Sequence, residues 1–322
     1  MTPGSVPAAL LLAAALALAW ALDWRFGEPR NALHPVAWLG RCLLPLGHAL
    51  LRLPARAALL AGALAWAAGA LACATLAWLW QTAALALPAW WAVPLLALAI
   101  KPLFAWRMLR DEVAAVEAAL HQGVAPAREQ LARLVSRDVT ALSPDEVREA
   151  ALQTLSENLS DSVVAPLFWL LLAGLPGAVV YRFANTADAM WGYRGRWEWA
   201  GKWAARADDV LSWAPARLTG WALAAPRHWP ALAGQARLTP SPNGGWPMGA
   251  LALQLGVRLR KPGVYALNAR APSPDAAALA CGLRRCAAVA WFAAVLTTLL
   301  LAATGVGVAA WVGSGVGTGA WP

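Results

Sequence analysis

Between Asn185 and Arg217 the chain reads NTADAMWGYRGRWEWAGKWAARADDVLSWAPAR, and this stretch holds the side chains best suited to chemistry. It contains the acids Asp188, Glu198, Asp208 and Asp209, the cations Arg194, Arg196, Lys202, Arg206 and Arg217, with Arg182 just ahead, and the amide Asn185. Trp and Gly are interleaved with these charges where a solvated helix would carry Glu, Lys and Gln. Such a surface suits closure over a polar ligand. If 202–217 is helical, Lys202, Arg206 and Asp209 share one face. That face reads equally as a phosphate-and-metal ridge or as an intrahelical ion pair worth a few tenths of a kcal/mol.

Further candidates lie elsewhere: Asp23, Glu28 and His34 in a first polar segment, then Arg137, Asp138, Glu157, Asn158 and Asp161 in a second, then Ser241 and Asn243 in the loop TPSPNGGWP. Carboxylates and carboxamides beside Arg and Lys suit a divalent cation with phosphate, oxygens for Mg²⁺ and guanidinium forks for phosphoryl oxygens. Plainer readings stand beside each. Asn185 and Asp188 also fit a helix N-cap and first-turn acid. His34, before Pro35, also fits a hydrogen bond to a loop carbonyl. The Pro/Gly loop is an anion cradle of backbone N–H groups or a reverse turn; it is not a Walker A loop. Asp208-Asp209 lacks the second acidic cluster of a lipid-type transferase. The four cysteines form no C-x-x-C and the four histidines no H-x-x-x-H, which argues against structural zinc and a disulfide framework. The cysteines read mostly as small buried apolar residues.

The elements that must position these residues are membrane segments. Of the 322 residues 60% are hydrophobic and 13% charged, half the charge of a soluble domain. The expected fold class is all-α: one polytopic integral membrane domain over 1–322, with four to five membrane segments and helical cytoplasmic loops. Spans are predicted at Val6–Leu22, Ala57–Trp80, Ala83–Ile100 and Ala287–Val312, with Gln81-Thr82 as a tight hairpin turn and Pro88 and Pro94 bending the third. Val163–Tyr181 is apolar but broken by Pro166, Gly174, Pro176 and Gly177. The tail from Gly313 is Gly-rich and reads as loose. Ser143-Pro144-Asp145-Glu146 is a capping box opening a helix to about Asn158.

The polar segments 23–56, 101–162 and 182–286 carry five, seven and fourteen of the 26 basic residues. A full crossing by 163–181 would put the most basic segment outside, against the positive-inside tendency. The segment is therefore expected to enter and return, bringing all three polar segments to the cytoplasmic side; an ordinary span with an outside loop is the alternative. The net charge of +9 serves topology and lipid headgroups, and no Lys/Arg run or stacking motif points to nucleic acid. Ionisable residues are absent from four of the spans, which argues against a transporter.

Four ordered words carry a resemblance: DWRFGEPRNALHPVAWLGR, SRDVTALSPDEVREAALQTLSENLSDSVVAPLFW, NTADAMWGYRGRWEWAGKWAARADDVLSWAPARLT and SPNGGWPMGALALQLGVRLRKPGVY. From about Leu22 to Tyr265 the chain resembles the CobD/CbiB family of adenosylcobinamide-phosphate synthases. The resemblance implies a ligase of the inner membrane that joins adenosylcobyric acid to (R)-1-aminopropan-2-ol O-phosphate with ATP and Mg²⁺. It implies corrinoid and amino-alcohol phosphate as substrates, the lipid bilayer as surroundings, and the membrane-bound cobalamin synthase of the same pathway as a partner. Expected roles are Glu157, Asp161, Asp188, Asp208 and Asp209 for Mg²⁺; Arg137, Lys202, Arg206 and Arg217 for phosphates; Asn158, Asn185, Ser241 and Asn243 for nucleotide or substrate. His34, Glu28, Glu157 and Asp209 are the expected catalytic groups, His34 or Glu28 serving the amine or the corrin side chains. Gln235, Leu238, Thr239, Met248 and the form ENLSDS depart from the family pattern. A non-catalytic scaffold of the same pathway is the rival reading.

Overall fold

Apolar blocks of membrane length must satisfy their backbone internally, and helices do so. The computed structural model describes residues 6–314 and is helical almost throughout. The helices are α1 (Ala8–Phe26), α2 (Pro35–Leu50), α3 (Ala55–Leu85), α4 (Ala89–Ile100), α5 (Trp106–Leu120), α6 (Val124–Ala132) and α7 (Pro144–Leu159). They continue with α8 (Ala165–Trp191), α9 (Lys202–Leu211), α10 (Trp213–Leu223), α11 (Trp229–Ala236) and α12 (Gly245–Leu255). A two-stranded antiparallel hairpin, β1 (Leu259–Lys261) and β2 (Tyr265–Leu267), precedes α13 (Ala276–Ser314).

Five stretches are long and apolar enough to cross a membrane: Ala8–Phe26, Ala55–Leu85, Ala89–Leu120, Pro144–Trp191 and Ala276–Gly305. Leu10 meets Gly305 while Trp20 and Trp24 meet Trp291, so α1 and α13 are antiparallel neighbours. The α3–α4 turn differs from expectation. α3 runs on through Gln81 and Thr82, whose hydroxyl returns to the carbonyls of Trp78 and Leu79, and the chain turns at 86–88. Pro88 does not bend a span; it precedes α4 as its N-cap. α13 begins eleven residues before the predicted Ala287. Its Arg285 donates to the carbonyls of Ala222 and Leu223, which end α10 without helical partners. The tail beyond 314, and with it the expectation that it is loose, lies outside the described residues. Of the cysteines only Cys286 is buried, against expectation; Cys73 is half-buried, and Cys42 and Cys281 are exposed beside the charged residues Arg41 and Arg284.

Val163–Tyr181 does enter and return. The helical φ/ψ of α8 breaks at Ala173 and Gly174, and Gly174 takes φ 64°, ψ −159°, a conformation that glycine alone adopts readily. Arg182 reaches the Ser162 hydroxyl at 3.3 Å, across a separation of twenty residues that a straight helix would stretch to about 30 Å. The ingoing arm continues α7 through the π-helical turn 160–164 without a break and reverses only at Ala173 and Gly174. Gln81 of α3 holds the tip, its Oε1 accepting from the Leu175 N–H at 2.8 Å.

Consequently the three polar segments gather at one end of the bundle. Lys101 bridges to Asp23 at 3.1 Å, Arg182 meets Ser162, and Arg285 caps α10. The capping box of α7 is present as predicted: Ser143 accepts from the Glu146 N–H and Glu146 from the Ser143 N–H. Glu117–Arg148 and Glu112–Arg133 pairs tie α5 to α7 and α6. A second small core, with Leu43, Phe183, Trp191 and Ala204, packs α2, α3, the returning half of α8 and α9 together.

Candidate active site

The hairpin in α8 decides which acids meet. Glu157 lies on the last turn of α7 and Asp161 on the π-helical turn 160–164 that follows. The returning half brings Asn185 and Asp188 back beside them, and α9 supplies Asp208 and Asp209. Asp161 stands within electrostatic reach of Glu157, Asp188 and Asp208, and Asp208 of Asp188, Asp209 and Glu157. Asn185 and Asp188 lie in the last two turns of α8 and not at a helix start, which removes their reading as an N-cap and first-turn acid. Among the described residues none of the five acids enters an ion pair. Burial, then the Asp188 carboxylate, push Asp208 up to about 7, against a 3.2 Å hydrogen bond from Asn185 Nδ2. Burial also raises Asp209, with Arg206 opposing.

Five unpaired acids sharing one space are chemically suited to a cation. No three His, Cys, Asp or Glu side chains among the described residues close into a metal cage. Mg²⁺ needs none, since it ordinarily takes one or two carboxylates and completes its shell with water and phosphate oxygens. The residues present therefore fit that ion in company with a phosphate.

Around the acids, the Pro/Gly loop behaves as a turn. Ser241 Oγ accepts from the N–H groups of Asn243 and Gly244, so these amides serve the turn itself. Asn243 accepts from Arg217 at 2.7 Å and donates to the Asp209 carbonyl at 2.8 Å, locking the loop to α9 and α10. The Arg217 guanidinium lies over the rings of Trp213 and Trp246. The Glu157 carboxylate lies so near Gly244 that a Cβ there would be 2.7 Å from Oε1. The helix entertained across 202–217 is two helices meeting at Ser212. Lys202 is turned from the acids toward Glu198 at 3.3 Å and the Trp199 ring, a correction to the predicted ridge: a flexible lysine on an exposed face takes the carboxylate one turn away. Arg206 is exposed beside Asp209.

On the other side of Glu157 is a polar cleft of about 180 Å³ lined by Arg137, Gln153, Asn158, Lys261 and Tyr265 among others. Arg137 donates to Gln153 Oε1 at 3.0 Å, and Asn158 donates to the Thr154 carbonyl. Buried Glu149 accepts from the Arg260 N–H at 2.7 Å and pairs with Arg258, fastening the β-hairpin to α7. The departing residues have structural partners here: Gln235 accepts from the Asn268 N–H, and Met248 Sδ from the Tyr265 hydroxyl. Thr239 donates to the carbonyls of Ala236 and Ser241, while Leu238 is exposed.

His34 and Glu28 belong to a different network. His34 Nδ1 accepts from the Val36 N–H, capping α2, so its Nε2–H donates to Glu28 at 2.7 Å. Lys101 holds the other Glu28 oxygen at 2.7 Å and Asp23 at 3.1 Å. Burial raises the Glu28 pKa, but the hydrogen bonds from His34 and Lys101 outweigh it and hold the carboxyl below its ordinary value. An apolar cleft of about 750 Å³ lies alongside, between α3, α4 and the returning half of α8. Neither His34 nor Glu28 touches the five acids; Arg182 stands between the two groups, within reach of Glu28 and of Asp161. Lys101, Gln153, Lys261 and Tyr265 were not singled out from sequence, and Arg182 was named among the cations without a role. Lys101 and Arg182 each border an apolar block, a visible signal, whereas Gln153 carries none.

The family model described as "CobD/Cbib protein" matches residues 16–280. The chain is 39% identical over 297 residues to "Cobalamin biosynthesis protein CobD" of Rhodobacter capsulatus, covering 85% of this chain and 91% of that one. It is 36% identical over 277 residues to "Probable cobalamin biosynthesis protein CobD" of Methanothermobacter thermautotrophicus, covering 79% and 86%. A corresponding protein of Thermococcus kodakarensis is 38% identical over 300 residues, covering 90% and 95%. No solved structure matches the chain.

Proposed function

The chain belongs to the CobD/CbiB family of cobalamin biosynthesis, and from that premise we propose which reaction it performs. It joins a propionate carboxylate of adenosylcobyric acid to the amine of (R)-1-aminopropan-2-ol O-phosphate, giving adenosylcobinamide phosphate. ATP drives the step. The carboxylate oxygen attacks the γ-phosphorus, ADP leaves, and an acyl phosphate forms. The amine then attacks the acyl carbon, the C–N bond forms, the C–O bond to phosphate breaks, and phosphate and a proton depart.

The observation that carries this reading is the meeting of five unpaired acids with Arg217 and its loop at one end of a membrane bundle. Asp188 and Asp208, with Asp161, Glu157 and Asp209 around them, would hold Mg²⁺. When bound, that ion would offset charge on the transferring phosphoryl group. Arg217, stacked between two indoles and fixed by Asn243, is pre-oriented for a phosphate oxygen. Arg206 is exposed at the mouth and Arg137 approaches from the far side of Glu157. A carboxylate must accept the amine's proton, and Glu157, bordering both spaces, is placed for it. The His34–Glu28–Lys101 network braces the loop before α2 and the start of α5, and Arg182 links it to the acids.

Purified protein in detergent, supplied with adenosylcobyric acid, the amino-alcohol phosphate and Mg·ATP, should yield the amide and ADP in equal amounts. Neither product forming would leave the scaffold reading in its place.

A further inference from the structure

We propose that the cleft beside Glu157 is a recognition site for a small phosphomonoester bearing an ammonium group. Its phosphate would lie on Gln153, Arg137 and Lys261, and its ammonium would face Glu157. The donors are built in. Gln153 is 4% exposed; its Oε1 is taken by Arg137, and its Nε2 has no partner. Arg137 Nε is likewise buried and unpartnered. Donors left buried without a partner are unfavourable, and a bound anion would satisfy them. Lys261 lines the same cleft, and its ammonium makes no hydrogen bond or ion pair among the described residues. Its place is fixed from below, since Glu149 clips the hairpin to α7 through the Arg260 N–H and the side chains of Arg258 and Arg260.

Size and charge narrow the ligand. At about 180 Å³ the cleft is smaller than the ~300–1,000 Å³ of ordinary ligand pockets, so it suits a phosphate with a short carbon chain and not a nucleotide or a corrinoid. Two cations and an amide donor facing one carboxylate match a dianion tethered to one positive charge. The amine would then stand on the edge of the cleft shared with the acids. Identifying this ligand with the amine substrate rests on the function proposed above; the chemistry of the cleft does not.

The test uses O-phosphoethanolamine as probe, with calorimetry on the full-length protein in detergent containing EDTA and no nucleotide. Saturable binding is expected, weaker for inorganic phosphate, weaker for the diester glycerophosphoethanolamine, and absent for ethanolamine. Lys261→Gln should weaken it about tenfold or more, with the unfolding temperature unchanged; Gln153→Leu should weaken it as much while also lowering the unfolding temperature, because it takes the acceptor from Arg137. No saturable binding, an affinity untouched by Lys261→Gln, or a diester bound as well as the monoester (a lipid-headgroup site) would each overturn the proposal. Probe binding as described without amide synthesis would remove the ligase reading and leave this site standing. Amide synthesis with an unaltered KM for the amine in Lys261→Gln would do the reverse.

Discussion

Asp208 experiences two effects of the same sign, burial and the neighbouring Asp188 carboxylate, and its pKa of about 7 follows. The folded pKa lies above the unfolded one, so between roughly pH 4 and pH 7 the native state holds a proton that the unfolded chain has released. This group's contribution to stability therefore falls as pH rises through that window and is flat above it. In EDTA, the wild type should gain more in unfolding temperature than Asp208→Asn when the pH drops from 7.5 to 5.5; equal gains would place the charge elsewhere. Mg²⁺ should shrink the difference at pH 7.5. Asp209→Asn should abolish ligation while expression and membrane insertion persist, and ordinary turnover would take Asp209 out of the proposed metal set. Lys101 is a structural charge. Its side chain is 11% exposed between Asp23 and Glu28, and Lys101→Met would strand two carboxylates, at about 3–5 kcal/mol read as a loss of thermal stability.

Among the elements, α8 repays a direct test because its two possible shapes predict opposite signs. At Gly174, φ 64° and ψ −159° exclude a side chain at about 1–3 kcal/mol, and a Cβ would sit 2.8 Å from Gln81 Oε1. Gly174→Ala should lower the unfolding temperature in detergent. Were 163–181 a continuous spanning helix, the same change would stabilise the protein by up to about 1 kcal/mol. The capping box of α7 and the apolar blocks could be read in advance, because each depends on residues within a turn or two. The position of the α3–α4 turn could not: Gln81 and Thr82 look like a loop, yet one caps the α8 tip and the other bonds within its own helix.

For the whole molecule, the returning hairpin puts every polar segment at one end of the bundle. Single cysteines introduced at Arg30, Glu129 and Tyr193 in a background lacking the four native ones should react with an impermeant reagent from the same side. One at Trp90, at the far end of the α3–α4 hairpin, should react from the other. In spheroplasts the first three are expected to be shielded, facing the cytoplasmic nucleotide pool. A residue near 193 on the opposite side from 129 would disperse the five acids and with them the proposed active site.

Composition and periodicity alone determined that this is a helical membrane protein, where its apolar blocks lie, how α7 begins and which acids and cations are abundant in its polar words. Those properties are local: propensity, capping and hydropathy act over a few residues. Which of the charged groups meet was decided by tertiary structure. The break at Gly174 returns Asp188 to Asp161, Glu198 draws Lys202 away, and Lys101 claims Glu28. Gln153, silent in the sequence, gains its meaning from an amide oxygen occupied by Arg137, because hydrogen-bond satisfaction is a property of the packed neighbourhood and not of residue type.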